Sequence, residues 1–199
     1  MKEFYWMVLV PFLFGLIAFL EPYSKGIHNK FLKKIRKLKD NKFGIELFMF
    51  LFSRILFFSL WGGLLAFFRN FLWFFIPMFG IGLVFIILSI ISFIITSKYK
   101  IPTLNLFKEF RYPLGLEYAG TFPAVSLSLC IALSTFIFLA GLIGLGIFTM
   151  MLFSLISSLP ILLLIFFPDL KLPEMGKNRF YIASGLIMFV GFLTMITNL

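Results

Sequence analysis

The sequence predicts an all-α membrane protein of six transmembrane helices, arranged as a 3+3 inverted repeat with both termini outside. Three observations predict it. The chain is 61% hydrophobic and 13% charged, with a mean hydropathy of +1.07, far from the roughly 45–50% apolar and 25% charged usage of soluble domains. Its 31 phenylalanines are too many for the interior of a chain this size, so many face a medium that tolerates them. Its Lys and Arg residues gather in a few connections between long apolar stretches, which is how membrane orientation is written in sequence.

Each crossing needs about 20 apolar residues in helix, because hydrocarbon offers no partner to a backbone amide. By that ruler the chain is one polytopic domain over residues 1–199, with spans at 4–20, 47–68, 71–96, 119–136, 145–167 and 181–196. The first stretch is a retained helix. Phe4, Tyr5 and Trp6 open it and Glu21-Pro22-Tyr23 follows, without the small-x-small site of a cleaved signal peptide. Arg69 and Asn70 mark a tight turn between the second and third spans. No formal charge occurs from 118 to 168, and those 51 residues are too many for one crossing and enough for two, with a turn expected between Thr135 and Gly146.

The basic residues are unequally shared. Connections 21–46, 98–117 and 169–180 hold fifteen Lys and Arg, the opposite face only Lys2 and Arg69, and Arg54 falls inside a span. Positive charge stays in the cytoplasm, so those three connections are cytoplasmic in a cell membrane and the termini lie outside. Within the first, Phe31, Leu32, Ile35 and Leu38 share one helical face among lysines. An amphipathic helix lying on anionic lipid head groups over Lys30–Lys42 is expected, with a docked protein partner as the alternative. This placement of charge argues against nucleic acid.

Charged or helix-breaking residues at membrane depth are the candidates for chemistry. Arg54 sits about 10 Å into the second span and needs water, a carbonyl or an acid such as Glu21 or Glu117, unless its stem snorkels to the head groups. Pro22 closes the first span and Pro123 opens the fourth from the same side. Proline frees carbonyls to contact a solute, and broken helices meeting at a central site characterise inverted repeats. Such prolines are also ordinary punctuation at span ends. The fourth span adds Ser126, Ser128, Cys130, Ser134 and Thr135, which line a pathway or simply permit close packing. Gly62, Gly63, Gly141, Gly144 and Gly146 read first as close helix contacts. His28, among lysines, reads as a solvated surface residue with no companions for a metal. Without a nucleophile–base pair, phosphate loop or paired intramembrane carboxylates, an enzyme is disfavoured, and neither cofactor nor metal is expected.

These pieces resemble the six-span thiol-reductant proteins CcdA and the central domain of DsbD, with their SafE/UreH-like relatives. Those proteins place Pro-Cys motifs where Pro22-Tyr23 and Pro123-Ala124 stand here. Ser53-Arg54-Ile55-Leu56 with Leu60-Trp61-Gly62-Gly63-Leu64-Leu65 is similar to a glycine-and-arginine pattern of the SafE-like second span, and Ser158-Leu159-Pro160 to an element of the fifth. The resemblance implies an inverted-repeat scaffold. Both family cysteines are missing, however, and exchange needs an attacking thiolate plus a second sulfur, which Cys130 alone does not supply.

The expected function is therefore a transporter or permease-like protein that moves an unidentified small solute or ion, with Glu21, Pro22, Arg54, Pro123, Ser126 and Ser128 as pathway candidates. One alternative is a non-catalytic assembly or scaffold subunit whose basic face docks a partner. The other is a role in cytochrome c or disulfide biogenesis, in which Cys130 works with a partner's cysteine.

Overall fold

The computed structural model describes residues 8–19, 22–38, 40–71, 78–98, 104–105, 113–122, 124–140, 142–167 and 179–197. Among these residues the secondary structure is helical apart from short turns and one strand pairing. The helices are α1 (Val10–Phe19), α2 (Pro22–Ile35), α3 (Asp40–Phe71), α4 (Met78–Lys98), α5 (Leu114–Ala119), α6 (Ala124–Ala140), α7 (Ile143–Phe166) and α8 (Arg179–Thr197). Leu104–Asn105 pairs antiparallel with Thr121–Phe122, Leu104 opposite Phe122.

Among the described residues two helices are long and apolar enough to cross a membrane, Asn41–Asn70 within α3 and Ile143–Phe166. Shorter apolar helices run over Gly82–Ile91, Leu129–Phe138 and Tyr181–Ile196. On α3 the buried residues recur every fourth position, as Phe50, Arg54, Phe58, Gly62 and Ala66. The rest of the helix presents Phe48, Phe52, Leu56, Leu60, Leu64, Phe67 and Phe68 outward, all exposed. An apolar outer face of this size is unfavourable in water and stable in lipid.

Two of the expected boundaries shift. Arg69 and Asn70 are helical, since α3 runs on to Phe71: both are compatible with helix and neither is a breaker. The fourth apolar helix starts at Ala124 rather than at 119, because Gly120 ends α5 and Thr121–Phe122 is extended. The turn expected between Thr135 and Gly146 falls at Leu142, which is non-helical and precedes Ile143.

Among the described residues packing divides into two clusters. The larger draws Phe14 from α1, Phe58 from α3, Phe85 from α4, Phe136 from α6, Phe153 from α7 and Ile187 from α8. The smaller joins Phe31, Leu32 and Ile35 of α2 to Phe50 of α3, Ala119 of α5 and Ile161 and Leu164 of α7. The most extensive helix pairings are α4 with α8 and α3 with α7. Glycine makes both possible. A side chain at Gly62 would strike the Gly146 carbonyl and one at Gly146 the Gly62 carbonyl. At the other crossing, a Cβ on Gly82 would lie 2.7 Å from the Gly191 oxygen, and one on Gly191 would lie 2.8 Å from that of Gly82. Small residues that let backbones touch replace the hydrophobic drive that is missing between helices in lipid.

Candidate functional site

A buried cation borders the smaller cluster at Phe50. Arg54 is 3% exposed. Its Nη2 donates to the Ser157 hydroxyl at 3.3 Å, and its guanidinium carbon lies 5.8 Å from the centre of the Phe50 ring. Of the two placements open to it, snorkelling to head groups or facing inward, the bundle holds the second. Ser157 stands beside two other buried hydroxyls of α7, and both Ser157 and Ser158 donate back to the Ser154 carbonyl, at 3.1 and 2.7 Å. Backbone bonding of this kind satisfies a hydroxyl inside an apolar helix and leaves its lone pairs for a neighbour. On Ser157 that neighbour is Arg54.

The Phe50 ring is the hub of the site. Phe31 stacks on it at 5.1 Å, and His28 meets it edge-on at 5.8 Å. His28 is 1% exposed, which overturns its reading as a solvated loop residue. The reason is register: His28, Phe31, Leu32 and Ile35 fall at i, i+3, i+4 and i+7 of α2, one helical face. Burial, with the Arg54 charge nearby, lowers its pKa from 6.5 to about 3, so the ring is neutral. Its Nδ1 has no hydrogen-bond partner among the described residues.

Two side chains tie the surrounding helices down. The Arg36 Nη2 donates to the Leu164 carbonyl at 3.0 Å, near the end of α7, where a cation also complements the helix dipole. The Gly115 amide donates to the Glu46 carboxylate at 2.7 Å, and Gly115 itself has no room for a side chain against the α3 backbone. The first bond holds α2 against the end of α7, and the second holds α5 against the start of α3.

The apolar face of α2 thus points into the protein. The amphipathic helix expected over Lys30–Lys42 is found only as far as Ile35, within Pro22–Ile35, and its Phe31, Leu32 and Ile35 are buried against the bundle rather than free to enter lipid.

The other candidates fall as follows. Cys130 is half-buried, packs against the larger cluster and lies within electrostatic reach of Arg54. Ser134 accepts a 3.0 Å hydrogen bond from the Trp61 indole. Pro22 opens α2 and Ser126 and Ser128 lie on α6, with their side chains outside the described set, while Glu21 and Pro123 lie outside the described residues altogether. Sequence reasoning missed His28 and Ser157. The helical register of α2 and the Ser154, Ser157, Ser158 spacing carried both signals.

Among the described residues no group of three or more potential ligands is placed to hold a metal. Compared with family models, curated proteins and solved structures, the chain matches none of them.

Proposed function

We propose that this chain is a multi-pass cell-membrane protein built as a 3+3 inverted repeat on a CcdA/DsbD-like scaffold, and that it moves a small solute or ion. The halves are α1, α3, α4 and α6, α7, α8, with the Lys-rich connections cytoplasmic. Exchanging the halves carries α3·α7 and α4·α8 onto themselves, α1·α7 onto α6·α3, and α1·α8 onto α6·α4. All of these pairs pack together, the pattern a pseudo-two-fold axis in the membrane plane produces. The halves also differ, in that α6 touches α7 and α8 as well.

One observation carries the functional reading: the Arg54–Ser157 contact joins the two halves at their seam, inside the bundle. Solute sites of inverted-repeat transporters lie at that seam, and a buried arginine is costly enough to need a reason. A guanidinium and a hydroxyl suit a solute that offers acceptor oxygens or negative charge.

Stopped-flow light scattering on proteoliposomes tests this with potassium salts of small anions, chloride, acetate and phosphate among them, with valinomycin present so that potassium accompanies the anion. Recovery from shrinkage faster than in empty liposomes, lost in Arg54→Leu and slowed in Ser157→Ala, supports transport. Permeability equal to empty liposomes for every salt leaves the scaffold role instead. A second reading is a thiol at half-buried Cys130 that exchanges with a partner's cysteine. A Cys130→Ser variant with unchanged redox phenotype dismisses it.

A further inference from the structure

The polar side of α2 is organised as regularly as its buried side. Lys30, Lys33 and Lys34 lie on the opposite face of α2, Lys37 follows in the turn after it, and all four are exposed. Lys34 leans over the Tyr118 ring, 5.0 Å from its centre. Like charges three and four residues apart repel, so this face opposes the helix that carries it. What holds α2 is its packed apolar face and the Arg36 bond to Leu164.

That bond also sets a height. Leu164 lies two residues before the last residue of α7, Phe166, and Phe166 and Phe167 are 74% and 60% exposed. If α7 crosses the membrane, its apolar end marks where hydrocarbon gives way to head groups. The lysine face is therefore held level with lipid phosphates and not out in the cytosol.

We propose that Lys30, Lys33 and Lys37 form a rigid docking strip for the anionic head groups of phospholipids. The inference rests on the membrane-spanning reading above and adds a ligand class to a surface that reading leaves unused. Because the apolar face is occupied by the bundle, α2 does not insert. It selects lipid by charge alone, which makes the interaction sensitive to salt.

The test uses the full chain and its K30Q/K33Q/K37Q variant in nanodiscs of mixed phosphatidylcholine and phosphatidylglycerol. A lysine near an anionic leaflet contributes about a fivefold preference. Around the wild-type chain, phosphatidylglycerol is expected to be enriched at low ionic strength and not in molar salt. The triple variant should lose that enrichment about tenfold or more, while melting at the wild-type temperature in pure phosphatidylcholine. Enrichment that survives the substitutions, or is absent from the wild type, overturns the proposal. So does wild-type chain in these nanodiscs that binds a DNA duplex through the three lysines, since the strip then faces solvent. Alkaline carbonate separates the two readings. A chain it releases from membranes defeats the spanning reading itself, whereas a carbonate-resistant chain indifferent to phosphatidylglycerol defeats only the lipid strip.

Discussion

Gly62 and Gly146 meet backbone to backbone, each occupying the space a side chain on the other helix would need. The crossing of α3 and α7 turns on that reciprocity, and with it the position of Arg54 two turns before Gly62 on the same buried stripe.

Gly62→Ala or Gly146→Ala should therefore lower stability by about 1–3 kcal/mol, the cost of overpacking against backbone that has no softer side chain to move. Gly144 is the control: nothing lies within 4 Å of a side chain added there, so Gly144→Ala should be neutral or slightly stabilising. Thermal melting in one detergent compares the three. Equal losses at Gly62 and Gly144 would remove the close crossing from the account.

Arg54 separates folding from function. Losing the desolvation cost of a buried guanidinium offsets the lost Ser157 bond and Phe50 contact, so Arg54→Leu should melt near the wild-type temperature and yet be inactive in the light-scattering assay. Ser157→Ala removes one hydrogen-bond acceptor and should cost about 1 kcal/mol. A strongly destabilised Arg54→Leu would mark the residue as structural.

The buried His28 makes stability depend on acid. Its pKa is about 3 when folded and 6.5 when exposed, so below pH 6.5 the unfolded chain binds a proton that the folded chain refuses. Stability is full above that pH and falls as pH drops toward 3, by about 2 kcal/mol at pH 5 from this residue. Melting at pH 7.5 and pH 5 checks it, with His28→Gln as the non-titrating comparison. The wild type should lose more than the variant, and parallel losses would contradict a buried neutral ring.

Glu46 anchors α5 through the Gly115 amide. Glu46→Ala should cost about 1–2 kcal/mol through the charge-assisted bond, concentrated locally. Hydrogen exchange over 114–119 should speed up while exchange at the Gly82–Gly191 crossing stays as it was.

Where the apolar helices lie was legible because a run of some twenty greasy residues between charged connections admits few other structures. The helices Arg179–Thr197 and Ile143–Phe166 lie close to the stretches read at 181–196 and 145–167. Which face of each helix turns inward was not legible. On α3, Phe48 and Phe50 are alike in sequence, yet one is 61% exposed and the other fully buried. A helix apolar on all sides carries no period that distinguishes neighbour from lipid. His28 shows the converse. Its lysine neighbours hid it in the sequence, although its register with Phe31 and Ile35 placed it on the packed face.

Composition and charge by themselves determined that this is a helical chain with an affinity for hydrocarbon, since both depend on transfer energies that each residue carries wherever it sits. Tertiary structure alone decided that Arg54 meets Ser157, that Phe50 gathers His28 and Phe31, and that α2 turns its apolar side to the bundle. Those contacts join residues far apart in the sequence, 103 positions in the case of Arg54 and Ser157. They depend on which glycines let two helices touch, a property of pairs of surfaces and not of any one residue.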